Sequence, residues 1–329
     1  MRSAIRIGVS LLLVLALTGA SPASRPERPK PAPRKLAILL FEGVQIIDYT
    51  GPYEVFGHAY TPDGPAFEIY TVAEKPGPIT TAMGMSVNPR YTFADAPKPD
   101  VLVLPGGNVD AHFDNPAVMQ WIKDSSKDAE VVLSVCNGAF FLAKAGLLDG
   151  LEATTFAGLI DDLRATAPKT RVVTDRRFVD NGKIVTSAGL SSGIEGSLHV
   201  IEKLLGKGYA QRVALGLEYN WQPDGNWARA ALPDRLVQVD TPDDLRVEPL
   251  VTQGTVDRWE KQWAVTTAET PTAFLARIDR TLETSNKWTR DAGAWTFKDA
   301  EGRAWNGSAV VEPLAAGKLK LTMKVARRS

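Results

Sequence analysis

The sequence predicts an α/β protein: a mostly parallel sheet between two helical layers, followed by a small α+β domain. Three observations carry this expectation. Short apolar runs alternate with amphipathic or glycine-opened segments from Lys35 to Trp221. Several of the runs are apolar at consecutive positions, as in strands covered on both faces. After Trp221 the composition shifts to Pro, Asp and Gly, and a different element order begins.

The elements follow in order. Residues 35–41 (KLAILLF) read as a first strand. Residues 49–60 (YTGPYEVFGHAY) read as a helix with Pro52 in its first turn. FEIYTVAE (67–74) and PDVLVLPGG (99–107) give two further strands, the latter ending in a glycine pair. NPAVMQWIKDSSKDA (115–129) is amphipathic, with Val118, Trp121 and Ile122 on one face. VVLSV (131–135) is a strand and NGAFFLAKAGLL (137–148) a helix. RVVTD (171–175) and RFVDNGKIVTS (177–187) read as late strands, with Asp180-Asn181-Gly182 as a hairpin turn. The stretch 191–206 is a helix in which Ser192 and Glu195 have capping-box spacing. Residues 209–219 form another helix. Ligands of such sheets sit beyond the carboxyl ends of the strands, so Glu42–Asp48, Pro105–Asn108 and Cys136–Gly138 fall on one rim.

The flanks divide the chain further. Residues 1–23 combine Arg2 and Arg6, an apolar run from Ile7 to Leu17, and small residues at Ala20 and Ala23. This is the pattern of a secretory signal, and the run is short of the about 20 residues a bilayer span needs. Export, with no stable membrane insertion after processing, is the expectation. Residues 24–34 are a proline-rich tether. The span 35–221 is the main domain, 222–245 a linker, and 246–329 the small domain, read as strand, helix, strand, strand. Five of the eight tryptophans lie between Trp259 and Trp305, and core packing is the reading preferred over a binding face.

Lys plus Arg equals Asp plus Glu at 38 each, which gives no electrostatic case for nucleic acid. No metal-ligand cluster, phosphate loop or cofactor motif is present in the sequence. A small-molecule substrate is the partner to expect.

Cys136 is the only cysteine, so it forms no internal disulfide. It is a buried small hydrophobe, an intermolecular link or a reactive thiol. Strand-Cys136-Asn137-Gly138-helix has the form of a nucleophile elbow with sulfur for hydroxyl, at a helix N-terminus that favours thiolate. Asp48 is read either as the proton carrier beside that thiol or as a helix N-cap. The N–H groups of Gly107 and Asn137 are the candidates for an oxyanion hole, against an ordinary glycine loop.

Five pieces carry a resemblance: LLFEGVQIIDYTGPYEVF, DVLVLPGG, SVCNGAFFLAKAGLLDGLEATT, GKIVTSAGLSSGIEGSLHVIEKLLG and LGLEYNW. Their order and spacing resemble the ThiJ/PfpI family, the cysteine branch of the glutamine-amidotransferase-like fold, over about Lys35 to Trp221. The isonitrile hydratase-like branch is the most similar, sharing D-x-T-G-P-Y and C-x-G. The resemblance implies a flavodoxin-like sandwich, a homodimer, Cys136 as nucleophile, Asp48 as its acidic partner, and Gly107 with Asn137 as the backbone hole. The chain departs from the family at two positions. Asn137 stands where that branch has Thr and protease-like members have His. Phe156 stands where many relatives have His. His58, His112 and His199 occupy no triad position, which argues against a Cys-His-Asp protease and against glyoxalase-type proton shuttling. Three functions remain: hydration of a small electrophile such as an isonitrile, amide hydrolysis through a thioester, or a thiol sensor without turnover.

Overall fold

The computed structural model describes residues 31–223, 245–284, 288–291, 294–299 and 301–328. The expected signal segment, most of the tether and nearly all of the linker lie outside the described residues.

The main domain is built on a seven-stranded sheet. Its strands in chain order are β1 (Arg34–Leu39), β2 (Phe67–Ala73), β3 (Tyr91–Thr92), β4 (Val101–Leu104), β5 (Val131–Val135), β6 (Phe178–Asp180) and β7 (Ile184–Ser187). In space they run β6-β7-β5-β4-β1-β2-β3. Every pairing is parallel except β6 with β7. That hairpin turns where the sequence places it: Gly182 has φ +86° and donates its N–H to Asp180 Oδ1 at 2.7 Å. β4, β5 and β7 are buried at every position, as consecutive apolar runs require when helices cover both faces.

Helices α1 (Ile46–Gly57), α5 (Ser192–Leu205) and α6 (Lys207–Gly216) pack together on one side. Helices α2 (Pro116–Asp128), α3 (Ala139–Lys144) and α4 (Ile160–Thr166) form a second group. α2 starts on Asn115, whose Oδ1 accepts the N–H of Ala117 at 2.9 Å, with Pro116 at the first helical position. This is the expected three-layer, flavodoxin-like sandwich.

Four details depart from the sequence reading. α1 begins at Ile46, so Pro52 lies inside the helix and cannot donate to the carbonyl of Asp48. The capping box of α5 does not form, because Glu195 turns inward to Arg177 (2.8 Å) and Tyr219 (2.7 Å). Residues 171–175 yield only a two-residue pairing of Arg171–Val172 with Glu152–Ala153, outside the main sheet. Residues 251–267 are two strands rather than one, turned at Val256 and Asp257.

The small domain therefore has six antiparallel strands: β8 (Arg246–Thr255), β9 (Arg258–Thr266), β10 (Thr289–Asp291), β11 (Ala294–Lys298), β12 (Ala304–Ala315) and β13 (Lys318–Arg327). One helix, α7 (Pro271–Thr284), buries Phe274, Ile278 and Leu282 against the sheet. Trp259, Trp288, Trp295 and Trp305 are buried in the same core, and Trp288 stacks on Phe297 at 4.2 Å. The tryptophans thus serve packing, as preferred from sequence. Polar contacts join the two domains. Arg164 on α4 meets Glu301 at 2.5 Å, and Arg303 donates to Thr174 Oγ1 at 3.3 Å.

Candidate active site

β5 ends at Val135, and the next residue reverses the chain. Cys136 has φ +57°, a left-handed conformation that a non-glycine residue holds only when its surroundings impose it. Its N–H bonds the carbonyl of Ala188 and its carbonyl accepts the hydroxyl of Thr155 at 2.9 Å. Gly138 makes the turn possible: a side chain there would lie 2.8 Å from the carbonyl of Pro105. The elbow predicted from sequence is therefore built, and the thiol is 8% exposed.

The three loops expected on one rim do meet. Gln45 donates its N–H to the carbonyl of Gly106 at 2.8 Å, and Asn108 to that of Gly43 at 3.0 Å. Asp48, three residues into α1 and fully buried, accepts the N–H of Gly106 on Oδ2 at 3.1 Å. It is not an N-cap. The thiol of Cys136 lies against the same carboxyl, and Oδ1 takes no N–H or O–H donor among the described residues.

Gly106 is the closest backbone to the pair. A Cβ there would stand 2.8 Å from Asp48 Oδ2 and 2.9 Å from Cys136 Cβ. The sequence reading chose its neighbour, Gly107, as a donor to the reacting atom, and the structure corrects this. The Gly107 N–H donates to Asn137 Oδ1 at 2.8 Å, while Asn137 Nδ2 donates back to the Gly107 carbonyl at 2.8 Å. The Asn137 side chain closes this pair and occupies the N–H.

The Asn137 backbone N–H does point at the sulfur. Its companion is the N–H of Leu190, directed at both the sulfur and the Asp48 carboxyl. Leu190 sits in the loop between β7 and α5 with φ +54°. That loop is a fourth contributor to the rim, missed from sequence because nothing in SAGLSSG marks a leucine for a left-handed turn. Phe156, 39% exposed, covers Gly189, whose missing Cβ would lie 2.5 Å from the ring; with Leu190, 41% exposed, it makes an apolar lip.

The histidines are engaged elsewhere. His58 bonds the carbonyl of Glu54, His112 that of Glu42, and His199 the carboxylate of Asp180. Among the described residues no group of three His, Cys, Asp or Glu side chains gathers as a metal site.

Burial pushes Asp48 up to about 6, against the opposing pull of the Gly106 N–H, the thiol and the Leu190 N–H. Burial also pushes Cys136 up to about 12, helped by the Asp48 charge and opposed by the N–H groups of Asn137 and Leu190. The thiolate expected from a helix N-terminus is therefore not the resting form. α3 is only six residues long, and desolvation outweighs its dipole. Near neutral pH the pair carries one proton, on sulfur, with the carboxylate facing it.

A model of the DJ-1/PfpI family matches residues 34–203. Isonitrile hydratase of Pseudomonas putida is 36% identical over 189 residues, which is 56% of this chain and 78% of the relative. The HTH-type transcriptional regulator CdhR of Pseudomonas aeruginosa is 27% identical over 54% of this chain and 52% of its own. Among solved structures, a ThiJ/PfpI family protein from Pseudomonas syringae superposes with a TM-score of 0.54 at 27% identity, over 67% of this chain and 94% of that one.

Proposed function

Starting from a chain that belongs to the DJ-1/PfpI family, we propose an enzyme in which Cys136 adds to a small electrophilic carbon, with isonitriles as the substrate class. One observation carries the reading: a fully buried carboxyl facing the only thiol, beneath two backbone N–H groups that converge on the sulfur. The similarity to an isonitrile hydratase supports the substrate class.

The chemistry follows from the single shared proton. As the sulfur bonds to the terminal carbon of R–NC, the thiol proton passes through Asp48 to that same carbon, giving the thioimidate R–N=CH–S–Cys136. Water then adds to the carbon and the C–S bond breaks. The sulfur recovers a proton through Asp48, and the formamide R–NH–CHO leaves. The N–H groups of Asn137 and Leu190 stabilise the sulfur as its proton departs. Asp48 at about 6 is a competent base at neutral pH and, once protonated, a competent acid. The apolar lip of Phe156 and Leu190 suits an apolar R group.

The test is formamide production from cyclohexyl isocyanide, followed by mass spectrometry. Cys136→Ala and Asp48→Asn are each expected to reduce turnover at least about a thousandfold. Turnover that survives Cys136→Ala removes the reading. A stable acyl adduct on Cys136, without isonitrile turnover, moves the protein to amide hydrolysis. Sulfinate formation on Cys136 without any turnover moves it to a thiol sensor.

The same reading makes the protein an exported homodimer acting on a small molecule, not on nucleic acid. Arg2, Arg6 and the apolar run to Leu17 support export. The mature N-terminus after Ala23, read by intact mass, and the mass in solution test these two points.

A further inference from the structure

A cavity lies at the edge of the rim, with Glu42 in its wall. It measures about 280 Å³ and is bounded by Phe41 and Glu42 after β1, by Glu74 and Ile79 in the loop after β2, and by Phe93 and His112. Neither Cys136 nor Asp48 lines it. The volume lies just under the range typical of drug-sized ligands, so it suits one ring or a short chain.

Its walls mix apolar and aromatic side chains with polar and charged ones. The rings of Phe41 and His112 meet at 4.9 Å, Phe93 stacks on Trp121 at 4.7 Å, and Ile79 is buried. The charges at its lining are two carboxylates and one ammonium, those of Glu42, Glu74 and Lys75. Glu74 Oε2 is held by Asn115 at 2.7 Å, and its Oε1 is 3.9 Å from Lys75 Nζ on a largely exposed side chain. His112 is fixed by the Glu42 carbonyl at 3.1 Å. Aromatic faces beside an excess of negative charge select a cation with an apolar body.

We propose that this cavity binds a compact organic ammonium ion, its head between Glu42 and Glu74 and its body against Phe41, Ile79 and Phe93. The site stands independently of the reaction at Cys136, yet it is wired to it. Thr80 donates its N–H to Glu42 Oε2 at 3.0 Å and accepts the N–H of Gly43 at 2.8 Å. Two residues on, Gln45 donates to the carbonyl of Gly106, whose own N–H holds Asp48. These bonds tie Glu42 to the loop that leads to Asp48.

The experiment titrates the full chain with benzylamine and with benzyl alcohol, its neutral counterpart of the same shape, by NMR. Benzylamine is expected to bind, and benzyl alcohol at least about tenfold more weakly. Binding should persist in Cys136→Ala and fall about tenfold in Glu74→Gln, which keeps the acceptor for Asn115. Ile79→Trp, which fills the cavity, should remove binding by a second route. Equal affinity for the amine and the alcohol overturns the proposal. So does loss of binding in Cys136→Ala, or binding unchanged in both Glu74→Gln and Ile79→Trp.

Discussion

Asp48 is fully buried, and that fixes its pH behaviour. Its carboxyl is raised from 3.8 to about 6 in the fold. Below about pH 4 both folded and unfolded forms hold the proton, and the difference vanishes. Between about pH 4 and 6 the unfolded chain releases a proton that the folded chain keeps, so stability falls as pH rises through this window. The full loss is on the order of 3 kcal/mol. Asp48→Asn removes it. The variant should be more stable than the parent at pH 8 by up to that amount, with the difference shrinking towards pH 4; urea unfolding across pH measures it. In the proposed reaction the same ionisation creates the base, so isonitrile turnover should rise through about pH 6 and then level off. A stable but inactive Asp48→Asn is the signature of an active-site group held at a cost to the fold. Cys136 and Asp48 were legible as a pair because elbow and helix start are local patterns. Leu190 was not, because its role lies in the direction of a backbone N–H and leaves no mark on residue type.

At the scale of elements, α5 shows how a local pattern loses to a tertiary one. Ser192 and Glu195 have the spacing of a capping box, yet Glu195 is fully buried against Arg177, which is 8% exposed. The buried guanidinium demands a partner more strongly than the helix end demands a cap. The two accounts differ in what mutation does. A capping box predicts a loss of about 1 kcal/mol for Ser192→Ala. The observed structure predicts almost none, because the buried Ser192 Oγ has no hydrogen-bond partner. Glu195→Ala should instead cost about 3–5 kcal/mol, by leaving Arg177 buried and unpaired. Denaturant midpoints of the two variants decide between them. The hairpin of β8 and β9 escaped for a related reason. Its turn, Val256 and Asp257, lacks the glycine or asparagine that normally announces one. The strands of the main sheet were legible because burial on both faces leaves only apolar residues to choose.

The whole molecule joins two cores that do not merge. One runs from Leu36 to Ala214 and the other from Trp259 to Val325. Between them the described contacts include a polar chain: Arg164 to Glu301, Glu301 to Arg303, and Arg303 to Asp299, which also accepts the indole N–H of Trp305. Arg164 and Glu301 keep about a third of their side chains in solvent, 32% and 28%, so their pairing contributes at most about 1 kcal/mol. Ion pairs of that strength cannot make two hydrophobic cores melt as one. Calorimetry should therefore resolve two transitions. Arg164→Ala should leave both midpoints within a few degrees of the parent, while Trp305→Ala, which opens the second core, should lower only one of them, at a cost of about 3–5 kcal/mol. Asp48 and Cys136 belong entirely to the first core, so isonitrile turnover should follow the transition that Trp305→Ala leaves unmoved. A single transition, lowered as a whole by Trp305→Ala, would instead mean that the second core supports the first and that the Cys136–Asp48 pair depends on both.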